Sequence, residues 1–156
     1  MLYPAQLYRE ELKRKLVSCW YKPKYNYYFL GEYREFDVPD NTMWRRDFVH
    51  LNDKGEVDGY FSYHYDPVSK SISQFGLISF TDKGAFLTLS VLGHIRQLIK
   101  EGLHRIEWWA VEGNPANDLY KKLVAKYGGK VVGELHDCNY VNGKYCGSVI
   151  YEILLN

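Results

Sequence analysis

With 156 residues, 46% hydrophobic and 25% charged, the chain has the size of one domain and enough apolar material to bury a core without disulfide or metal staples. Its 20 Lys and Arg offset 19 Asp and Glu, so no long-range field draws it toward nucleic acid. The three cysteines Cys19, Cys138 and Cys146 lack C-x-x-C spacing, which argues against a disulfide framework and a zinc site.

No segment approaches the ~20 apolar residues that span a bilayer, and no basic start precedes a long apolar run, so the expected compartment is the reducing cytoplasm. The unusual figure is 17% aromatic with 15 tyrosines, many in the first half, among them Tyr21, Tyr25, Tyr27, Tyr28 and Tyr33. Tyrosine packs its ring and wets its hydroxyl, so strand packing accounts for most of them.

In chain order, residues 4–17 alternate apolar and charged side chains at helical spacing, with Pro4 suited to a first turn. Residues 25–36 are aromatic and irregular between Pro23 and Pro39, compatible with strand, extended loop or a second helix. Residues 47–51 and 57–65 read as strands around the turn 52–55, and 72–80 as a third after the Asp66-Pro67 turn. Period then changes: Phe86, Leu89, Leu92, Ile95, Leu98 and Ile99 recur every three or four residues up to Gly102, an amphipathic helix with a glycine cap. Residues 105–111 form a short apolar strand, Asn114-Pro115 opens a helix striped by Ala116, Leu119, Tyr120 and Leu123, and Gly128-Gly129 ends it. Residues 131–135 and 148–155 are strands flanking the Asn142-Gly143 turn.

The result is an α+β domain with a mixed sheet of about six to seven strands flanked by helices, in which the crossover through the Phe86 helix makes two neighbouring strands parallel. The segment 112–131 carries Asn114, Ala116, a Leu119-Tyr120 pair and a Tyr127-Gly128-Gly129 helix end. In that order, after a strand, they resemble the closing strand-helix-strand region of the GNAT superfamily of acyl-CoA N-acyltransferases, and the surrounding elements extend the resemblance back to about Arg45. It implies one GNAT-like domain over residues 1–156, with 1–44 on the acceptor side and 45–156 as the recognisable core.

The resemblance implies transfer of an acetyl group from acetyl-CoA to a primary amine, without a metal. Acyl transfer requires a polarised thioester carbonyl, a neutral amine and a proton for the departing thiolate. By resemblance, Tyr120 supplies that proton, and Asn114, a natural helix N-cap in its own right, lies beside the pantetheine arm with Asn117. Backbone around Leu77 and Ser79 polarises the carbonyl where the strand splays from 105–111. Lys83, Gly84, Ala85 and Phe86 cradle the pyrophosphate at a positive helix N-terminus. The run Thr81-Asp82-Lys83-Gly84-Ala85-Phe86 keeps only Gly84 of the family's glycine-rich pattern, and Asp82 repels an anion unless Lys83, with Thr88 or Ser90, offsets it.

Glu107 is the candidate base, with His64 a second and water chains a third. His136-Asp137-Cys138 is no triad, because strand neighbours point to opposite faces; by the same alternation one ring of Trp108-Trp109 enters the core. Expected partners are a small-molecule or peptide amine, with neither nucleic acid nor membrane, and a homodimer is left open. The alternative is a non-catalytic GNAT-like binding module with weakened CoA binding.

Overall fold

The computed structural model describes residues 1–20, 22–27, 37–82 and 84–155. Seven strands form one sheet: β1 (Leu2–Pro4), β2 (Arg45–Leu51), β3 (Val57–Asp66), β4 (Ser71–Ser79), β5 (Arg105–Val111), β6 (Lys130–Val141) and β7 (Lys144–Leu154). Their spatial order is β1-β2-β3-β4-β5-β7-β6, with β4 and β5 parallel and every other pair antiparallel. Helix α1 (Arg9–Val17) follows a 3₁₀ turn at Ala5–Tyr8; α2 (Ala85–Lys100) connects β4 to β5, and α3 (Ala116–Lys126) connects β5 to β6.

Two differences from the sequence reading have simple causes. Pro4 is not in a helix: Leu2–Pro4 pairs with residues 48–50 as the sheet's edge, where a residue lacking an amide proton is tolerated. The last hairpin is longer than the two runs of apolar alternation suggested, because a bulge between Leu135 and Asn139 lets β6 continue past His136, Asp137 and Cys138. Those three side chains are exposed and Asp137 takes a φ of 47°, so the bulge accounts for them.

Hydrophobic side chains fill both faces of the sheet. Phe61, Tyr63, Ile72, Leu87, Trp108 and Tyr151 belong to a core under α2 and α3, while Leu12, Leu16, Val49, Val57, Tyr60 and Ile78 belong to a second one under α1. Period-two alternation along β3 divides Tyr60 from Phe61 in this way. Among the described residues Phe48, Phe61, Tyr63 and Phe75 stack or tilt against one another at 5.4–6.3 Å, so packing accounts for these rings.

Candidate active site

The parallel strands part almost as soon as they meet. β4 and β5 pair through Ser71 with Arg105 and Ile72 with Ile106, and the ladder ends there. The cause is written into β4. Against β3, Ser62 aligns with Gly76 and His64 with Ser73, so three steps of β4 match two of β3, and Gln74 absorbs the extra residue at a φ of 52°. The bulge also shifts the alternation: Ile72, Phe75 and Leu77 share the core under the helices, whereas Ile78 joins the one under α1. Beyond Ile72 the β5-facing edge of β4 has no ladder partner among the described residues, leaving a fork.

The start of α2 stands over the end of the β4 prong. Gly84 occupies its N-cap position without a side-chain cap, and its first turn holds no acidic residue. A helix of 16 residues therefore presents unsatisfied amides and the positive end of its dipole there. Ser79 serves the turn into this helix: its hydroxyl donates to the Thr81 carbonyl at 2.8 Å. Thr88 donates its hydroxyl to the Gly84 carbonyl at 3.0 Å, which leaves it less suited to an anion than the sequence suggested. Asp82 is balanced by Lys24, whose Nζ lies 3.0 Å away and whose own pKa is raised chiefly by that bond. Lys83 lies outside the described residues, Ala85 is exposed on the first turn, and the exposed ring of Phe86 flanks it.

The second helix supplies the polar groups on the other prong. Asn114 is buried, and its Oδ1 accepts from the Ala116 amide at 2.9 Å, the capping role. Asn117 donates Nδ2 to the Val111 carbonyl at 2.8 Å and accepts from the Tyr151 hydroxyl at 2.9 Å. It thereby ties α3 to β5 and β7, a structural task beyond the pantetheine contact expected of it. One turn further on, Tyr120 is half-buried, its ring edge-on to Trp108 at 5.6 Å and to Tyr151 at 5.7 Å. Trp108 and Tyr151 are themselves stacked, 5.3 Å apart with 16° between planes. Tyr120, Leu77 and Trp108 line one cavity of about 180 Å³ between α2 and α3.

No protein-family model matches the sequence, and no curated protein matches it. Solved structures do. Over 99% of this chain and 95% of the other, the spermidine N-acetyltransferase from Vibrio cholerae in complex with CoA and spermine superimposes with a TM-score of 0.74 at 20% identity. A probable GNAT-family acetyltransferase from Chromobacterium violaceum gives 0.70 over 98% and 86% at 16% identity. An acetyltransferase from Salmonella typhimurium that modifies the N-terminal serine of ribosomal protein L7/L12 gives 0.56 over 73% and 66%, also at 16%.

The chain has the GNAT fold.

On the face of the GNAT fork away from α2 and α3 lies Glu107, whose carboxylate is engaged by Arg105 and lies 3.4 Å from the Trp109 indole nitrogen. Arg105 also holds Glu152 at 2.8 Å. Glu107 is thus anchored beside the opening, with Trp109 56% exposed next to it, while Trp108 is the ring that enters the core. His64 aligns with Arg45 and Ser73 near the end of β3, at the bulged part of β4.

One contributor was not read from the sequence. A short 3₁₀ turn at Pro23–Tyr25 and the residues after it bridge both prongs. The Tyr25 hydroxyl donates to the Ser79 carbonyl at 2.9 Å; Asn26 Nδ2 donates to Asn142 Oδ1 at 2.5 Å; and Tyr27 packs with Val111, Val141 and Cys146 beyond the end of β5. The lysine–tyrosine alternation around Pro23 was the available signal, but nothing local ties it to residues more than 50 positions away. Residues 28–36, the rest of the aromatic segment, lie outside the described residues.

Proposed function

We propose that this protein transfers an acetyl group from acetyl-CoA to a primary amine by direct attack. The observation that carries the reading is the fork: parallel strands that separate after two residue pairs, with Tyr120 on the wall of the cavity that opens there. Backbone amides on the unpaired edge of β4 polarise the thioester carbonyl where negative charge develops. The amine nitrogen bonds to the carbonyl carbon, the carbon–sulfur bond breaks, and the sulfur takes a proton from the Tyr120 phenol while the amine loses one. Glu107, anchored by Arg105 beside the opening, is the group we assign to receive that proton, directly or through water. The amides at the start of α2 bind the pyrophosphate, with Lys24 holding Asp82 out of the way.

The acceptor is a small molecule or a peptide amine, and the cytoplasm, where acetyl-CoA is at hand, is the proposed location. Among the described residues no helix is long and apolar enough to cross a membrane. The second reading, a coenzyme-poor binding module, is motivated by the single glycine at the start of α2 beside Asp82 and Phe86. The deciding experiment mixes the protein with acetyl-CoA and a panel of amines and follows thiol release. Turnover that collapses in Tyr120→Phe while acetyl-CoA affinity persists supports the enzyme; no thiol release and no acetyl-CoA binding would end it.

A further inference from the structure

We infer that the fork also serves acyl groups longer than acetyl, seated in the cavity between α2 and α3. The inference rests on the acyl-transfer reading above and names its donor class. The cavity begins at the fork, where Leu77 and Trp108 face Tyr120, and continues under the helices to Ile99, Ile153 and Leu155 at the closed end of the sheet. Along α2 the lining runs from Thr88 to Ile99, about 16 Å at the usual rise per residue. Its volume, 180 Å³, exceeds the roughly 150 Å³ apolar hole that takes up benzene in another protein, and an acetyl group occupies a small part of it.

The chemistry of the wall selects the occupant. Below Trp108 most of the lining side chains are hydrocarbon, including Leu92, Ile95 and Ile106, while Arg96 and Tyr127 are exposed. A polar arm bearing amides loses hydrogen bonds there, whereas an alkyl tail gains contacts that the unfilled wall lacks. Each methylene buried strengthens binding roughly fourfold by ordinary transfer free energies.

The test is titration calorimetry of the intact protein with CoA, acetyl-CoA and octanoyl-CoA. Octanoyl-CoA is expected to bind at least about 50-fold more tightly than acetyl-CoA, the yield of three buried methylenes. Leu92→Trp, which fills the cavity, should reduce that ratio to near one. Equal affinities for all three, weakened together by Leu92→Trp, would mean that the groove holds the coenzyme's own arm; the inference then fails and acetyl transfer stands. Binding of none of them overturns both. Should Leu92→Trp unfold, the chain-length series on the unaltered protein decides alone.

Discussion

The hydroxyl of Tyr151 donates to Oδ1 of Asn117 at 2.9 Å, fastening β7 to α3 one helical turn before Tyr120. Residues three apart share a helix face, so this bond fixes the rotation of α3 at which the Tyr120 ring meets Trp108. A general acid that contributes ~10²–10⁴-fold must be lost with its hydroxyl. Tyr120→Phe is therefore expected to lower kcat about 10²-fold or more, with acetyl-CoA affinity within about twofold. Stopped kinetics paired with calorimetry separate the two quantities, and an unchanged kcat would remove Tyr120 from the chemistry.

Tyr151→Phe should behave differently. Burial holds the Tyr151 phenol above its ordinary pKa, so it is a neutral donor at working pH. Removing its hydroxyl leaves Asn117 Oδ1 short of a partner and costs about 1–3 kcal/mol of stability. Activity should fall only several-fold, with the pH profile unshifted, because the ring still stacks on Trp108. A chemical-denaturation curve and a pH–rate profile on the same preparation read both effects.

Asp47 is fully buried, yet it carries a charge matched from two directions. Arg45 contacts both carboxylate oxygens at 2.8 and 3.0 Å, and Tyr60 donates to the same carboxylate; burial, helped by that carboxylate, drives the phenol's pKa far up. Breaking such a cluster from one side strands the remaining groups. Asp47→Ala is expected to cost about 1–3 kcal/mol, since Arg45 is partly exposed and water can solvate it. Replacing both charges, as in Arg45→Met with Asp47→Leu, should cost less than the single change; urea midpoints of the three proteins check this.

Glycine-to-alanine changes should split by sign. At Gly129 a Cβ would lie 2.3 Å from the Glu152 carbonyl oxygen and 2.7 Å from Ile153, and backbone cannot yield as a side chain can. Gly129→Ala should destabilise by about 2–3 kcal/mol or more. Gly93, in α2, has nothing within 4 Å, so Gly93→Ala should stabilise by about 0.5–1 kcal/mol through helix propensity. Thermal unfolding of the pair tests the close approach of the α3 exit to β7.

The sequence exposed what is local and hid what is not. The Phe86 helix, the Asn114 cap and the Gly128-Gly129 stop all follow from spacing and caps, and so did the parallel neighbours β4 and β5 that the crossover demands. The reason they part was invisible, since Gln74 is an ordinary residue whose positive φ is imposed by register against β3. Edge strand β1 escaped because three residues carry no periodicity. Among the candidate site residues, Tyr120 came from the family resemblance, and alternation said that one ring of Trp108-Trp109 enters the core without saying which. Thr88 and Ser79 were expected as coenzyme contacts, but their hydroxyls are taken by nearby carbonyls that only the folded turn brings close.

His94 gives the fold a pH dependence with a definite sign. Its ring lies 4.8 Å from Phe48 and its Nε2 is 2.8 Å from the Tyr63 hydroxyl, whose own pKa burial pushes up to about 12. Burial lowers the His94 pKa from 6.5, assisted by Arg46 and opposed by Glu101. The unfolded chain then binds a proton at higher pH than the folded one. Above about 6.5 the residue is neutral in both states and exacts nothing. As pH falls below that value the unfolded state is favoured, and stability declines until the folded pKa is reached. In His94→Gln, which keeps a side-chain polar group near Tyr63 but cannot titrate, this part of the decline should vanish. Denaturation at pH 7.5 and 5.5 should therefore show the variant's deficit shrinking at the lower pH; a deficit that grows there would mean that protonated His94 is favoured in the folded state.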